Sequence, residues 1–243
     1  MSTKLAPSRF WRWIFFGVVP LFLAFSSGLA ITAYEEVHGS VTILTPNESV
    51  IRQSLSTLMS ISPLPERAAP NFTLTDQMGN SVRLSQFHGK SVVLTFMDSR
   101  CTEVCPLIAQ EFISAEKDLG RRAHSMVFVG VNVNPHANSV ADVSHFTSVH
   151  GLSSLNNWYF LTGPLARLIP VWRSYGVEVI LPKNATQTVH SSYLYFLNPL
   201  GRERFLADAS VALRKNGVGY LPPKLLQRWG RGIAYYLEQS TKG

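Results

Sequence analysis

The chain has 243 residues, enough for one sizeable folded domain plus a targeting segment. Its net charge of +7 comes from scattered basic residues without dense Lys/Arg runs, so we expect no nucleic-acid partner. Two cysteines are too few for a disulfide-dense scaffold, which a core of this size does not need, so their role is expected to be chemical.

The N-terminal segment is typical of a chain that inserts into a membrane. Residues 1–12 contain three basic residues and no acid, and we interpret them as a cytoplasmic N-terminus. Residues 13–34 form an uncharged run about as long as a helix needs to cross a hydrocarbon core of roughly 30 Å, so we predict a transmembrane anchor. The rest of the chain is then expected on the extracytoplasmic side of the cell membrane, in a single-pass arrangement.

A cleaved signal peptide is the alternative, because Gly28 and Ala30 could supply the small residues of a cleavage site. Both interpretations place the folded part outside the cytoplasm.

A spacer is predicted at residues 35–69, where hydrophobic periodicity is weak and prolines accumulate, with one short helix around 49–59. The folded domain is predicted at 70–243. Its expected elements, in chain order, are a β-hairpin at 72–74 and 81–84, a strand at 91–98, a helix at 106–119, a strand at 126–133, a helix at 138–150, a strand at 158–161, a helix from 164 with a potential kink at Pro170, a strand at 193–197 with a turn at 198–201, and a helix at 222–239. Strands that alternate with helices predict an α/β fold with parallel central strands.

The two cysteines, Cys101 and Cys105, follow a buried strand and precede a helix. They are therefore expected at the carboxyl end of the sheet, where open α/β folds place their sites. If the intervening turn is helical, a spacing of four places both sulfurs on one face, close enough to share a metal ion or form a disulfide. The partial positive charge of a helix that begins near Pro106 favours the thiolate form.

Two other roles for the pair remain open. A structural disulfide is possible, although a bridge that closes so short a loop stabilises little. A zinc site is also possible, but two sulfurs leave two tetrahedral positions to fill, and the sequence has no Cys/His cluster at zinc-finger spacing.

Among the seven histidines, His190 stands out because it lies just before the strand at 193–197, which could bring it to the same sheet edge as the cysteines. Soft thiolates suit Cu(I), and an added imidazole makes a trigonal site that can also hold Cu(II).

The run TFMDSRCTEVCP, followed far downstream by VHSSYLYFLNPLG, resembles the Sco (SenC) family of copper proteins. The resemblance covers roughly residues 70–239. The Cys-x-x-x-Cys-Pro signature is matched by Cys101, Cys105 and Pro106, and the later His-Ser motif is matched by His190 and Ser191.

The resemblance implies a thioredoxin-like fold, a central mixed sheet flanked by helices, and a role in the assembly of cytochrome c oxidase. It implies that Cys101, Cys105 and His190 bind one copper ion per chain, as Cu(I) or Cu(II), and that the cysteines also cycle between dithiol and disulfide. The implied partners are a copper-receiving oxidase subunit, other copper chaperones or thiol-disulfide proteins, and the membrane through the N-terminal helix.

This sequence departs from the family pattern at three positions where an acid is usual. Val189 precedes the histidine, Asn134 follows the second buried strand, and Asn198 begins the turn after the last strand. An acid beside a ligating histidine can orient the ring and raise its basicity, so its absence bears on copper affinity.

Two enzymatic alternatives remain beside copper delivery. The first is a thiol-disulfide reductase in which Cys101 or Cys105 attacks a disulfide of the target. The second is a peroxidase, since residues 69–90 resemble the opening of peroxiredoxins and related thioredoxin-fold proteins. The three-residue gap between the cysteines and the downstream histidine favour copper.

Overall fold

The computed structural model describes residues 46–180, 188–209, 212–213 and 219–242. By its internal contacts the chain divides into two units, Met1–Ser49 and Val50–Gly243, and the fold described below is that of the second. Within the described residues, no helix is both long and apolar enough to cross a membrane. The predicted cytoplasmic N-terminus and transmembrane anchor lie outside the described residues.

A six-stranded mixed sheet forms the centre of the fold. Its strands are β1 (Ser62–Pro63), β4 (Ser91–Met97), β5 (Met126–Asn132), β6 (Trp158–Leu161), β9 (Tyr193–Leu197) and β10 (Glu203–Asp208). They lie in the order β1-β10-β9-β4-β5-β6. Strands β4, β5 and β6 are parallel, whereas β9 runs antiparallel to β4, and β10 antiparallel to both β9 and β1.

Three two-stranded ladders accompany the sheet: β2 (Thr73–Thr75) with β3 (Ser81–Arg83), β7 (Val179–Ile180) with β8 (Val189–His190), and β11 (Ala212–Leu213) with β12 (Gly219–Tyr220). The α-helices are α1 (Pro46–Leu58), α2 (Cys105–Leu119), α3 (Val140–Val149), α4 (Leu165–Ser174) and α5 (Pro223–Ser240). Short 3-10 turns lie at Leu84–Phe87, Gly120–Ser125 and Leu152–Ser154.

Both faces of the sheet are covered, which explains why the central strands are continuous apolar runs. Alternate residues of β4 point to opposite faces. Val93 belongs to the core cluster that includes residues of α1, α2, α3 and α5, whereas Leu94 belongs to the cluster that includes residues of α4 and the β2–β3 hairpin. Helix α4 continues through Pro170. The predicted α/β fold, with a central mixed sheet flanked by helices, is confirmed.

Helices α2 and α5 approach closely at Gly230. A Cβ added there would lie 2.5 Å from Ser114 Cβ and 2.8 Å from the Ser114 carbonyl carbon. The absence of a side chain at position 230 therefore sets the distance between the two backbones.

The sequence pattern did not predict strands β10 and β1 or the β7–β8 and β11–β12 ladders. Strand β10 begins at Glu203, a charged residue that is nonetheless fully buried because Arg67 Nε donates to its carboxylate at 2.6 Å. Strand β1 lies within residues 35–69, which were predicted to be a spacer, and it pairs with β10. Strands β10 and β1 extend the central sheet on the β9 side, away from β5 and β6, whereas β7 and β8 form a ladder of their own.

Candidate metal and thiol site

The turn between β4 and α2 carries both cysteines. The Cys101 N–H donates to the Asp98 carbonyl at 3.1 Å, and this hydrogen bond forms a turn directly after β4. Helix α2 begins at Cys105, with Val104 as its N-cap and Pro106 in its first turn, where a missing N–H costs nothing. The sequence placed this helix start within one residue, but the loop before it is irregular, and Cys101 precedes the helix.

Cys101 sits at the N-terminus of α2 and accepts hydrogen bonds from it. The backbone N–H of Cys105 points at Cys101 Sγ over 3.5 Å. A hydrogen bond from the Cys105 thiol, helped by backbone N–H groups of the same turn and opposed by burial, lowers the pKa of Cys101 to about 6. Cys101 is therefore largely a thiolate at neutral pH.

Cys105 has the opposite character. Its side chain is fully buried, and the hydrogen bond that it donates to Cys101, together with burial, raises its pKa well above the ordinary value. The pair thus consists of a partly exposed thiolate and a buried thiol, and both cysteines are free.

His190 reaches this pair from a distant part of the chain. It lies at the end of β8, and its Nε2 is 3.9 Å from Cys105 Sγ. Its Nδ1 is 3.1 Å from the carbonyl oxygen of Ser191, which can only accept, so Nδ1 carries the proton and the Nε2 lone pair faces Cys105. Burial lowers the pKa of His190, against smaller effects of Ser191 and Asp98, so the imidazole is neutral at pH 7.

Cys105 contacts both of the other side chains: its thiol is hydrogen-bonded to Cys101, and its sulfur lies 3.9 Å from His190 Nε2. Among the residues that the structure describes, no group of three or more His, Cys, Asp or Glu side chains is arranged so that it could hold a metal ion as it stands. Two donors that share one ion, with bonds of about 2.3 Å to sulfur and about 2.0 Å to nitrogen, lie roughly 3.5 to 4 Å apart. The distance between Cys105 and His190 matches that separation, and two thiols with one imidazole suit a soft metal ion.

Asp98 and Thr188 also belong to the site, although no sequence motif pointed to them. Asp98 is fully buried directly after β4, and its carboxylate accepts from the Thr188 N–H at 2.7 Å. The only signal in the sequence was an acid at the carboxyl end of a buried strand, next to the cysteine loop. Of the three departures from the family pattern, Asn134 contacts this carboxylate, whereas Val189 is 61% exposed.

Residues 62–210, more than half of the chain, match the SCO1/SenC family. No curated protein matches the sequence. Three solved structures illustrate the similarity. ScoI of Bradyrhizobium japonicum with copper bound is 22% identical, with a TM-score of 0.55 over 72% of this chain and 99% of that one. A SCO1/SenC family lipoprotein of Bacillus anthracis str. Ames is 20% identical, with a TM-score of 0.58 over 73% and 96%.

The third, BsSco, is a member of the Sco family of cytochrome c oxidase assembly proteins with a disulfide switch. It is 20% identical, with a TM-score of 0.55 over 74% of this chain and 96% of that one. At these identities the structures show the fold, which is thioredoxin-like as predicted. The match over residues 62–210 shows the lineage: the chain belongs to the SCO1/SenC family.

Proposed function

We propose that this protein binds copper and delivers it to, or aids the metallation of, cytochrome c oxidase on the extracytoplasmic side of the membrane. The observation that carries the proposal is the approach of His190 Nε2 to within 3.9 Å of Cys105 Sγ, beside a second sulfur in hydrogen-bond contact. Membership of the SCO1/SenC family supports it, as does the copper bound to the Bradyrhizobium japonicum relative.

Each of the three side chains has a defined task in copper binding. Cys101 offers a thiolate at neutral pH, whereas Cys105 must lose its proton when the ion binds, so binding releases protons. The Ser191 carbonyl holds the His190 ring with its Nε2 lone pair toward the sulfurs. Two thiolates suit Cu(I), and the imidazole extends the site to Cu(II), at one ion per chain.

The same site suits transfer of copper to another protein. Cys101 is partly exposed, so an incoming thiolate or imidazole of a partner can reach an ion there, whereas Cys105 is buried. The partners proposed are an oxidase subunit that receives copper and other copper chaperones or thiol-disulfide proteins that load or reduce the site. Residues 13–34 are proposed to anchor the protein in the membrane, with the folded part outside the cytoplasm.

Competitive Cu(I) titration of the reduced protein tests the ligand set. Wild type is expected to bind about one Cu(I), and Cys101→Ala, Cys105→Ala and His190→Ala are each expected to lower the affinity at least about 100-fold, as loss of a ligand should. His145→Ala, which removes an exposed histidine from α3, is the matched control. Unchanged binding by the His190 variant would remove this residue from the site.

Cell fractionation and protease accessibility test the anchor. The full chain is expected in the membrane fraction, with its folded part digestible from the extracytoplasmic side only. A variant that lacks residues 1–34 should remain in the cytoplasm. A full-length chain recovered in the soluble fraction would contradict the anchor.

Thiol-disulfide reduction is the second candidate, and the low pKa of Cys101 favours it. In this reaction the Cys101 thiolate attacks a target disulfide, one target sulfur leaves as a thiolate, and Cys105 resolves the mixed disulfide. The target then holds two thiols, and this protein holds a Cys101–Cys105 disulfide that a reduced thiol protein must reset. If His190→Ala leaves disulfide reduction and oxidase assembly intact in cells, the reductase function is favoured over copper delivery.

A further inference from the structure

The His190 segment and the cysteine loop are held together by one buried carboxylate, that of Asp98. Its Oδ1 accepts from the Arg100 N–H at 2.7 Å and from Asn134 Nδ2 at 2.8 Å. Its Oδ2 accepts from the Thr188 N–H at 2.7 Å and from Thr188 Oγ at 3.0 Å. Four donors therefore fill the acceptor positions of an ionised carboxylate.

These contacts join the two halves of the site. Arg100 directly precedes Cys101, and Thr188 lies two residues before His190. The two oxygens of Asp98 thus fix the cysteine loop on one side and β8 on the other, although 90 positions separate Asp98 from Thr188. Charge-assisted bonds of 2.7 Å are among the stronger hydrogen bonds in proteins, and burial protects them from competition by water.

Asn134 is a neutral hydrogen-bond donor to the buried carboxylate of Asp98. Its Nδ2 donates to Asp98, and its Oδ1 accepts from the His136 N–H at 2.8 Å, so the orientation of the amide is set from both sides. An aspartate at position 134 would place a second carboxylate in contact with Asp98, where two like charges are costly. The amide at 134 and the carboxylate at 98 are therefore matched to each other.

We propose that Asp98 is a positioning residue, which acts with Asn134 to hold the His190-bearing strand against the cysteine loop. The inference rests on the proposed function, because its consequence is a preorganised copper site. An orienting acid beside His190 is absent from the sequence at Val189, whose side chain is exposed. Asp98 acts on the histidine through the backbone and hydroxyl of Thr188 instead.

The test compares three variants and one control. Asp98→Asn removes the charge and replaces one acceptor by a donor, and Asn134→Asp adds a second carboxylate. The double variant exchanges the two groups, so that the amide oxygen at position 98 can accept from Thr188 while the amide nitrogen there donates to the carboxylate at position 134. In this orientation the amide nitrogen faces the Arg100 N–H, so the contact with the cysteine loop is lost. Asp76→Asn is the control, because Asp76 is a buried carboxylate that accepts from the Met78 and Asn80 N–H groups in the β2–β3 turn.

Two measurements on reduced protein separate this inference from the proposed function. The first is hydrogen exchange of the Thr188 amide in copper-free protein, which reports on the Asp98 contact without copper. The second is Cu(I) affinity by competition. Each single variant is expected to accelerate Thr188 exchange at least about 10-fold and to weaken Cu(I) binding about 10- to 100-fold, as outer partners of metal ligands do. The double variant should recover most of the slow Thr188 exchange but only part of the Cu(I) affinity, because the contact with the Arg100 N–H stays lost. Asp76→Asn should change neither quantity.

Two results overturn the positioning role. One is unchanged Thr188 exchange in Asp98→Asn, and the other is a double variant in which Thr188 exchange is accelerated as much as the two single variants together predict. A wild-type protein that binds no Cu(I) overturns the proposed function, whereas the exchange data still decide whether Asp98 positions the strand. If a single variant fails to fold, Thr188→Val takes its place, because it removes only the hydroxyl donor. It is expected to accelerate Thr188 exchange and weaken Cu(I) binding by smaller factors.

Discussion

Cys105 donates both its thiol and its backbone N–H toward the sulfur of Cys101. Cys105 therefore stabilises the negative charge on the Cys101 sulfur while its own thiol stays protonated. The two thiols of the pair, which look equivalent in the sequence, are chemically different.

The first prediction concerns this asymmetry. In the reduced, copper-free protein, alkylation of Cys101 by iodoacetamide should be half-maximal near pH 6, because the hydrogen bond from Cys105 lowers its pKa to about 6. Cys105 should remain unmodified at neutral pH, because it is buried and its pKa is raised. Mass spectrometry of each cysteine between about pH 4.5 and 9, a range that brackets the ordinary thiol value, measures both rates. In Cys105→Ala the midpoint for Cys101 should move toward its ordinary value; equal rates for the two cysteines would contradict the assignment.

The second prediction concerns oxidation. A disulfide between Cys101 and Cys105 removes both thiolates, so the oxidised protein should bind Cu(I) at least about 100-fold more weakly than the reduced protein. Treatment with dithiothreitol, followed by its removal, should restore binding. Titration of both forms against a Cu(I) chelator measures the difference. Equal affinity of the two forms would exclude the sulfurs as ligands.

The third prediction concerns Glu111, on α2. Its side chain is fully buried, and neither carboxyl oxygen has a hydrogen-bond partner among the described residues. Burial raises its pKa well above the ordinary 4.5, so the folded state retains a proton that the unfolded chain releases. The resulting loss of stability is absent below about pH 4.5 and grows as pH rises toward the folded pKa.

Glu111→Gln should therefore stabilise the protein by on the order of 2 kcal/mol at about pH 7.5, and the gain should vanish near pH 4. Urea unfolding across this pH range measures the free energy. Glu178→Gln, at an exposed position, is the control and should show no such trend. A gain for Glu111→Gln that does not vary with pH would show that the charge is not its cause.

The fourth prediction concerns the contact between α2 and α5. Gly230→Ala should lower the free energy of unfolding by about 1 to 3 kcal/mol, because the new methyl group meets the Ser114 backbone, despite the better helix propensity of alanine. Gly232→Ala is the matched comparison. Its methyl group meets the side-chain sulfur of Met59, which is flexible enough to move, so the loss should be smaller. Thermal and urea unfolding of both variants checks the order, and a Gly230 variant as stable as wild type would contradict it.

Local patterns predicted most of the elements, and long-range contacts account for those that were missed. The run at 91–97 and Pro106 placed the cysteines between a buried strand and a helix, because apolar periodicity and helix-start residues act over short distances. Strand β10 was not predicted because a charged residue such as Glu203 is normally expected at the surface. Its burial depends on Arg67, 136 positions away.

The sequence by itself determined which residues can do chemistry here: two thiols at the end of a buried strand and a distant histidine with a matching motif. Their role as metal ligands stays a prediction. Only the tertiary structure decided which thiol is ionised, that the His190 ring faces Cys105, and that Asp98 joins the two segments. These features depend on hydrogen bonds between residues up to 90 positions apart, and such partners are chosen by strand pairing and packing rather than by local sequence.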